Sequence, residues 1–423
     1  MAVPKKQPGL FAQLGPGLIT GAADDDPSGI ATYSQAGAQF GFGLLWTMVL
    51  TYPLMCAVQL TSAHIGRVTG RGLAANLKDV WPGGLVGVLV ALLFVANAIN
   101  IGADLSAMGA AAKLVTGVGG HGFTLGFAAL SLLLQLFVPY HRYARLLKWL
   151  TLVLFAYVAV VFMTHLDWAE VGNGMVSFGT VAAAGAATMV VAIFGTTISP
   201  YLFFWQSAQE VEEVDNNPEA EPLERAPQQA RAEFRRIRID TFAGMALSNL
   251  IALAIMISTA ATLHAAGKTQ ISTAADAAEA LRPVAGDFAF WLFAIGIVGT
   301  GLLAIPVLAG SAAYAVSELR GWKCSLESKP WQAPAFYGVI GAATAVGLAL
   351  DWSPIDPIKA LFWSAVINGV ISVPIMAGMM VVARRRSQMG HFTVPMAMKL
   401  FGWLAVGVMA VAVAAMGVTM VTG

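Results

Sequence analysis

Two polar segments interrupt long apolar stretches of the chain, and their residue types could bind a cation. The first comprises Asp24, Asp25, Asp26, Pro27, Ser28 and Gly29, and the second runs from Gly195 to Tyr201 and includes Pro200. Because proline removes a backbone donor and glycine frees the backbone, each segment is predicted to break a helix and expose carbonyl oxygens. Carbonyl oxygens beside a carboxylate suit hard cations such as Mg²⁺, Mn²⁺ and Ca²⁺.

The apolar surroundings of these segments favour a buried site. A carboxylate at mid-bilayer costs roughly 2.5–3.5 kcal/mol to insert, and irregular backbone is tolerated there only beside a cavity. No Lys or Arg lies near either segment, whereas an anionic substrate would favour a basic residue. A loop between two short helices is the alternative for the first segment, although its flanking halves are too short to span. A simple proline kink is the alternative for the second.

The composition places the chain in a lipid bilayer. Of its 423 residues, 57% are hydrophobic and 11% are charged, whereas soluble domains carry roughly 25% charged residues. The net charge of +1 favours neither nucleic acid nor acidic partners, and two cysteines cannot form a disulfide framework or a cysteine metal cluster. The N-terminal residues lack signal-peptide features, so the first apolar segment is expected to remain.

Eleven apolar segments have about the 20 residues that a helix needs to cross a bilayer. They lie at 13–36, 43–66, 83–114, 122–140, 144–166, 181–206, 240–266, 287–317, 333–351, 358–383 and 397–421. We predict an all-α polytopic protein with a single transporter domain over 1–423. Its first five helices (13–166) and next five (181–383) would form a 5+5 inverted repeat, followed by an extra helix at 397–421.

The distribution of Lys and Arg predicts the orientation in the membrane. These residues cluster before the first segment and after the second, fourth, sixth, eighth and tenth, and the alternate loops are poor in them. By the positive-inside rule the N-terminus is cytoplasmic and the C-terminus lies outside. We therefore predict a multi-pass plasma (inner) membrane protein that needs the lipid bilayer but no protein partner.

The position of the two breaks predicts a mechanism. An interruption in the first helix of each half is the best sequence indication of an inverted-repeat transporter with a midplane site. Helices one and six would then move as gates around that site, which gives alternating access.

Three stretches resemble the natural resistance-associated macrophage protein (NRAMP) family of divalent metal transporters. GPGLITGAADDDPSGIATYSQAGAQFGFGLLW resembles its first-helix region, VQLTSAHIGRVTGRGLA the end of its second helix, and NIGADLSAMGAA its third helix. The resemblance is strong over roughly 15–115, recognisable over 195–209 and faint beyond. It implies the leucine-transporter (APC-type) fold, with Asp26 as the metal-binding carboxylate and a metal-binding carbonyl at Thr196.

Several positions depart from the family pattern. Ser28 and Gly29 stand where Gly and a ligating Asn are usual, and Ser199, Tyr201 and Leu202 replace a Met, a His and an Asn. Methionine is a soft ligand that favours transition metals, and Mg²⁺ usually keeps several waters, so a roomier site without methionine suits partly hydrated Mg²⁺. The pattern is similar to the NRAMP-related magnesium transporter branch, and Mn²⁺ should be accepted too.

The resemblance also bears on proton coupling. Asp104 matches an acidic residue of the family's third helix, but Ala107 replaces the acid of the proton route. The sixth-helix histidine is absent, and the ninth-helix arginines have no obvious equivalents near Phe336 and Tyr337. Because a relay needs titratable groups, we predict weak or no proton coupling. A proton-coupled Mn²⁺/Fe²⁺ importer is the alternative.

The predicted metal site comprises Asp26, Ser28, Gly29, Thr196 and Ser199. Pathway or outer-shell roles are predicted for a second group: Asp25, Asp104, Tyr201, Gln206, Gln209 and Asn368. Solvation at a helix end is the alternative for Asp24 and Asp25, and hydrogen bonds that pack helices together are the alternative for Asp104, Asn368 and the two glutamines. A solvated charge run is the favoured interpretation of the acids from Glu210 to Glu213.

These predictions describe a secondary transporter of Mg²⁺ and Mn²⁺ that is not an enzyme and has no resident cofactor. No nucleophile–base pair or zinc motif is visible, and the loops are too short for a soluble domain. An organic solute transporter of the same fold, or a membrane receptor, is the alternative from another class, and neither would bind metal.

Overall fold

The computed structural model describes residues 16–139, 142, 147 and 150–422, and within them the chain is helical without a strand. The α-helices are α1 (Pro16–Asp24), α2 (Pro27–Phe40), α3 (Trp46–Thr69), α4 (Leu73–Lys78), α5 (Gly83–Thr116), α6 (Gly120–Phe137), α7 (Phe155–Met163), α8 (Trp168–Val176), α9 (Ala186–Thr197), α10 (Pro200–Asn216), α11 (Ala230–Thr259), α12 (Ala274–Ala278), α13 (Arg282–Ala285), α14 (Ala289–Arg320), α15 (Pro334–Ala349), α16 (Pro357–Val382), α17 (Arg386–Met389) and α18 (Met396–Thr422).

The described helices confirm a protein that crosses the membrane many times. Nine described spans are long and apolar enough to cross it, and a tenth is counted if the bent pair Leu152–Met163 and Trp168–Val176 is one span. The first predicted segment is divided into α1 and α2, each shorter than a full span. Most of the fifth segment before residue 150, and residues 13–15 of the first, lie outside the described residues.

The charged stretch from Glu210 to Asp240 is more helical than the sequence suggests. Helix α10 continues to Asn216 and α11 begins at Ala230, so the connecting loop is 217–229. The polar ends of both helices are stabilised by pairing with each other, since Arg236 of α11 contacts Glu210 of α10. This pairing depends on the fold and leaves no local sequence pattern.

Close helix packing holds the broken helices in place. Helix α1 packs against α11, α9 packs against α16, and α5 packs against α14, α15 and α16. Two glycines permit these approaches, because a Cβ atom on Gly21 would lie 2.4 Å from the Gly244 carbonyl oxygen and one on Gly195 would lie 2.0 Å from that of Ala365. Small residues let membrane helices approach this closely, and here they fix both breaks at the protein centre.

Candidate cation site between two helix breaks

The first break positions Asp26 between α1 and α2. Pro27 starts α2, and Asp26 is its N-cap residue, whose Oδ1 accepts hydrogen bonds from the Ser28 hydroxyl (2.6 Å) and the Gly29 N–H (2.7 Å). Its Oδ2 accepts from Asn100 Nδ2 at 3.1 Å. The structure therefore brings the three predicted first-break residues together around one buried carboxylate, which is 2% exposed.

The second break leaves a main-chain carbonyl without a backbone donor. Helix α9 ends at Thr197 and α10 begins at Pro200. Because proline has no N–H, the carbonyl of Thr196, four residues earlier, lacks the donor that a continuous helix would supply. The Ser199 hydroxyl lies 2.8 Å from this carbonyl oxygen and 2.6 Å from that of Gly195. Ser199 thus covers the carbonyl that sequence reasoning assigned to the cation.

Two hydrogen bonds cross from one break to the other. Pro27 leaves the Ala23 carbonyl without a helical donor, as Pro200 does at the second break. The Tyr201 hydroxyl donates to this Ala23 oxygen at 3.2 Å, and the Thr196 hydroxyl donates to the Tyr33 hydroxyl at 2.9 Å. The breaks therefore face each other. Sequence reasoning missed Tyr33, since a tyrosine in an apolar helix gives no distinct signal.

A layer of amides extends the site towards α5 and α16. Asn100 Nδ2 contacts Asp104 Oδ2 at 3.2 Å as well as Asp26, and Asn368 Nδ2 donates to Asn100 Oδ1 at 3.4 Å. Within the described residues, Oδ1 of Asp104 and Oδ1 of Asn368 are buried and have no hydrogen-bond partner. Asp104 and Asn368 thus join the site through Asn100. The four-residue spacing of Asn100 and Asp104 on one helix was the available signal.

Asp24 and Asp25 are buried, so helix-end solvation is wrong for them. Their exposed fractions are 0% and 2%. The Ser248 hydroxyl of α11 lies 2.6 Å from Asp24 Oδ2 and 3.1 Å from Asp25 Oδ1. No Lys or Arg in the described part of the chain forms an ion pair with Asp24, Asp25, Asp26 or Asp104. The centre of the protein therefore concentrates acidic groups without basic partners.

The two predicted glutamines lie away from the breaks. Gln206 Oε1 accepts a hydrogen bond from the Thr20 hydroxyl at 2.7 Å, and its Nε2 donates to Glu210 Oε1 at 3.4 Å. Gln209 does not join these contacts, and its Nε2 has no hydrogen-bond partner among the described residues. Gln206 thus connects α10 to α1 on the side where α1 begins.

The donors that the two breaks themselves contribute are mainly neutral oxygens. In the described ranges, no group of three or more His, Cys, Asp or Glu side chains could hold a metal ion together. Around the contacts that join the two breaks, the donors are carbonyl, hydroxyl and amide oxygens with the Asp26 carboxylate, and such sets leave ligand positions for water. Oxygen donors of this kind are typical ligands of hard cations.

Two cavities lie beside α2 on the predicted outer side. One, of about 570 Å³, lies at the C-terminal end of α2 and is lined by residues that include Asp167 and Glu170. The other, of about 190 Å³, is lined by residues that include Gln35 and Met189. None of the predicted metal ligands lines either cavity, so both stop short of the breaks.

This all-helical bundle with two facing helix breaks is a transporter fold, and the comparisons with known proteins identify the family. The family described as natural resistance-associated macrophage protein-like matches residues 17–419. The chain therefore belongs to this family.

Two relatives and a solved structure agree with this family. The chain is 27% identical over 308 residues to the divalent metal cation transporter MntH of Deinococcus radiodurans, covering 70% of this chain and 67% of that protein. It is 30% identical over 295 residues to the Yersinia pestis protein of the same name, covering 68% of each. The Eremococcus coleocola manganese transporter matches with a TM-score of 0.71 at 18% identity, over 97% of this chain and 88% of that one.

A more distant structure confirms the predicted leucine-transporter (APC-type) fold. A nucleobase-cation-symport-1 family transporter in a closed conformation matches with a TM-score of 0.56 at 15% identity, over 100% of this chain and 96% of that one. The fold is thus shared between members of the NRAMP family and transporters of other substrates. The fold alone therefore does not identify the substrate, which depends on the residues of the site.

Proposed function

We propose that the chain is a secondary transporter that moves divalent cations, with Mg²⁺ and Mn²⁺ favoured, by alternating access. The observation that supports the proposal is the pair of proline breaks that two hydrogen bonds join, with the Asp26 carboxylate in the first break and the covered Thr196 carbonyl in the second. Asp26 supplies the charge, and Ser28, Gly29, Thr196 and Ser199 supply oxygens directly or through water. Two relatives are named as divalent metal cation transporters and a structural neighbour as a manganese transporter, which supports this substrate class.

The preference for Mg²⁺ rests on the second break. Ser199 occupies the position of the family's methionine and contributes a hydroxyl instead of a soft sulfur. Mg²⁺ keeps several of its waters in protein sites, so a site of oxygen donors and bound water suits it, and Mn²⁺ accepts the same donors. Without a thioether, the site has little means of rejecting hard cations.

Competition during uptake tests this preference. Purified protein in liposomes with an internal Mn²⁺ indicator should show uptake that millimolar Mg²⁺ inhibits. The variant Ser199→Met should transport Cd²⁺ faster and lose inhibition by Mg²⁺, because it restores a soft ligand. Ser199→Ala is the matched control, since it removes the hydroxyl without adding sulfur. Mn²⁺ uptake that a large excess of Mg²⁺ leaves unchanged would overturn the Mg²⁺ assignment.

Proton-coupled import of Mn²⁺ or Fe²⁺ is a second candidate. It is favoured by Asp104, a buried acid with a free oxygen that is joined to Asp26 through Asn100. A carboxyl group in this position could exchange a proton when a cation binds. Acidification inside the liposomes during Mn²⁺ uptake, abolished in Asp104→Asn, would establish coupling. Mn²⁺ uptake without acidification would support uncoupled transport.

We also propose the orientation and the repeat organisation. The N-terminus is placed in the cytoplasm and the C-terminus outside a plasma (inner) membrane, with inverted halves at 13–166 and 181–383 and an extra helix at 397–421. The alternation of Lys- and Arg-rich loops supports the orientation. Reporter fusions to the two termini should give opposite locations, and equal locations would contradict it.

A further inference from the structure

We propose that a buried chain of polar contacts between α1, α3, α10 and α11 is the latch that closes the cation's exit on the Lys- and Arg-rich face. We define the exit latch as Thr20, Gln206, Glu210, Arg236, Glu233 and Arg67. Its members come from four helices, of which α1 and α3 are distant in sequence from α10 and α11. The proposal rests on the transport function proposed above, and its test measures access to the interior without measuring transport.

The contacts of the latch form one continuous path. Thr20 of α1 donates to Gln206, and Gln206 donates to Glu210 one turn further along α10. Arg236 of α11 donates to Glu210 Oε2 at 2.5 Å and to Glu233 Oε2 at 3.0 Å.

The path ends at α3, since Arg67 Nε lies 3.4 Å from Glu233 Oε2. A movement of α1 away from α10 must break the Thr20 contact at one end. A movement of α10 away from α11 must break the Glu210–Arg236 pair.

Burial and charge explain why the latch stays closed. The Glu210 and Arg67 side chains are 0% and 2% exposed, while Arg236 and Glu233 are 19% and 26% exposed. Two positive and two negative charges balance along the path. A buried charge that loses its partner is strongly destabilised, so the closed arrangement keeps Glu210 paired. The favoured interpretation of Glu210 as part of a solvated charge run is therefore wrong.

The latch lies between the cation site and the face where α1 begins. Leu202, Gln206 and Glu210 occur at four-residue spacing and thus share one face of α10, with Leu202 nearer the break. Helix α1 is also held on α11, where the Gly17 N–H donates to Asp240 Oδ2 at 2.6 Å. A cation that leaves the site towards this face must pass α1 and α10, which Thr20 and Gln206 join.

Thiol labelling of a reporter cysteine tests the latch. In a Cys56→Ser, Cys324→Ser background, Leu202→Cys places a thiol beyond the latch as seen from the Lys- and Arg-rich face. A membrane-impermeant maleimide should label it slowly in inside-out vesicles. Adding Glu210→Gln or Arg236→Gln should raise the labelling rate at least about tenfold, because the latch then lacks its central ion pair.

Matched controls separate the latch from a general charge effect. Arg235→Gln and Glu213→Gln remove the same charges from exposed neighbours on the same two helices and should leave the rate unchanged. The triple variant Glu210→Arg, Glu233→Gln, Arg236→Glu should restore slow labelling, because it re-forms the 210–236 pair in reverse without a like charge at 233. A size-exclusion profile and a Tm close to those of the parent show that the single variants are folded.

Three results would overturn the proposal. One is a labelling rate that neither Glu210→Gln nor Arg236→Gln changes. Another is equal acceleration by the exposed controls. The third is acceleration seen only in right-side-out vesicles, which would place the latch on the opposite path. A failure of transport with the labelling pattern intact would contradict the proposed function and leave the latch supported.

Discussion

Replacing Asp26 separates its two roles in the molecule. Its carboxylate caps α2 through the Gly29 N–H, and it is the proposed source of charge for the cation. Asp26→Asn keeps an oxygen that can accept from Gly29 but removes the charge. Asp26→Ala removes both, and losing an N-cap costs about 1 kcal/mol. The alanine variant should therefore have a lower Tm in the absence of metal, while the asparagine variant should stay close to the parent.

The expected loss of affinity follows from the charge. Two unit charges 4 Å apart attract by about 4 kcal/mol at the effective dielectric constant of about 20 that suits protein sites, so a divalent ion gains about 8 kcal/mol from the carboxylate. Desolvation offsets most of this gain. A remainder of about 2.7 kcal/mol corresponds to about a 100-fold change in Kd. Both variants should lose this affinity.

Isothermal titration calorimetry with Mn²⁺ and Mg²⁺ measures the change. Asp25→Asn is the matched control. It removes the same charge at the neighbouring position, where the carboxylate contacts Ser248 and does not cap α2. It should weaken binding less than Asp26→Asn does. A Kd for Asp26→Asn within about threefold of the parent would refute the assignment, since the charge would then contribute less than about 1 kcal/mol.

Three further predictions follow from other contacts. Gly21→Val should lower the Tm and impair transport, because its Cβ would lie 2.4 Å from the Gly244 carbonyl oxygen; an unchanged Tm by differential scanning fluorimetry would contradict this packing. Tyr201→Phe should destabilise the protein by about 1–3 kcal/mol in a denaturation assay, since it leaves the buried Ala23 carbonyl without its donor, and no change would contradict the crossing bond. Burial and nearby carboxylates raise the pKa of Cys324 to about 12. In a Cys56→Ser background its alkylation rate should therefore rise about tenfold per pH unit between about pH 8 and 10, and a flat profile would contradict this environment.

The broken helices could be predicted because their signals are local. Pro27 and Pro200 lie inside apolar runs, and the acid at position 26 directly precedes the first proline. Proline removes a donor wherever it stands, so a Thr196 carbonyl without a backbone donor follows from the sequence, whereas its cover by the Ser199 hydroxyl does not. The repeated spans follow from composition in the same way.

Side-chain pairings across the fold could not be predicted. Glu210 resembles a solvated residue because its partner Arg236 lies 26 residues further along the chain, beyond a loop. In the sequence, Asn100 cannot be distinguished from the polar residues that commonly hold membrane helices together. Only the fold brings it against Asp26. Such contacts depend on which helix faces are adjacent, and hydropathy does not specify that.

The position of a bound ion tests the central claim most directly. A structure of the protein with Mn²⁺, determined with anomalous scattering at the manganese edge, locates the ion without assumptions about its ligands. We expect one peak between the two breaks, within direct or single-water distance of the Asp26 carboxylate and the Thr196 carbonyl oxygen. A peak at any other place in the molecule, or no peak between the breaks at saturating Mn²⁺, would contradict the cation site.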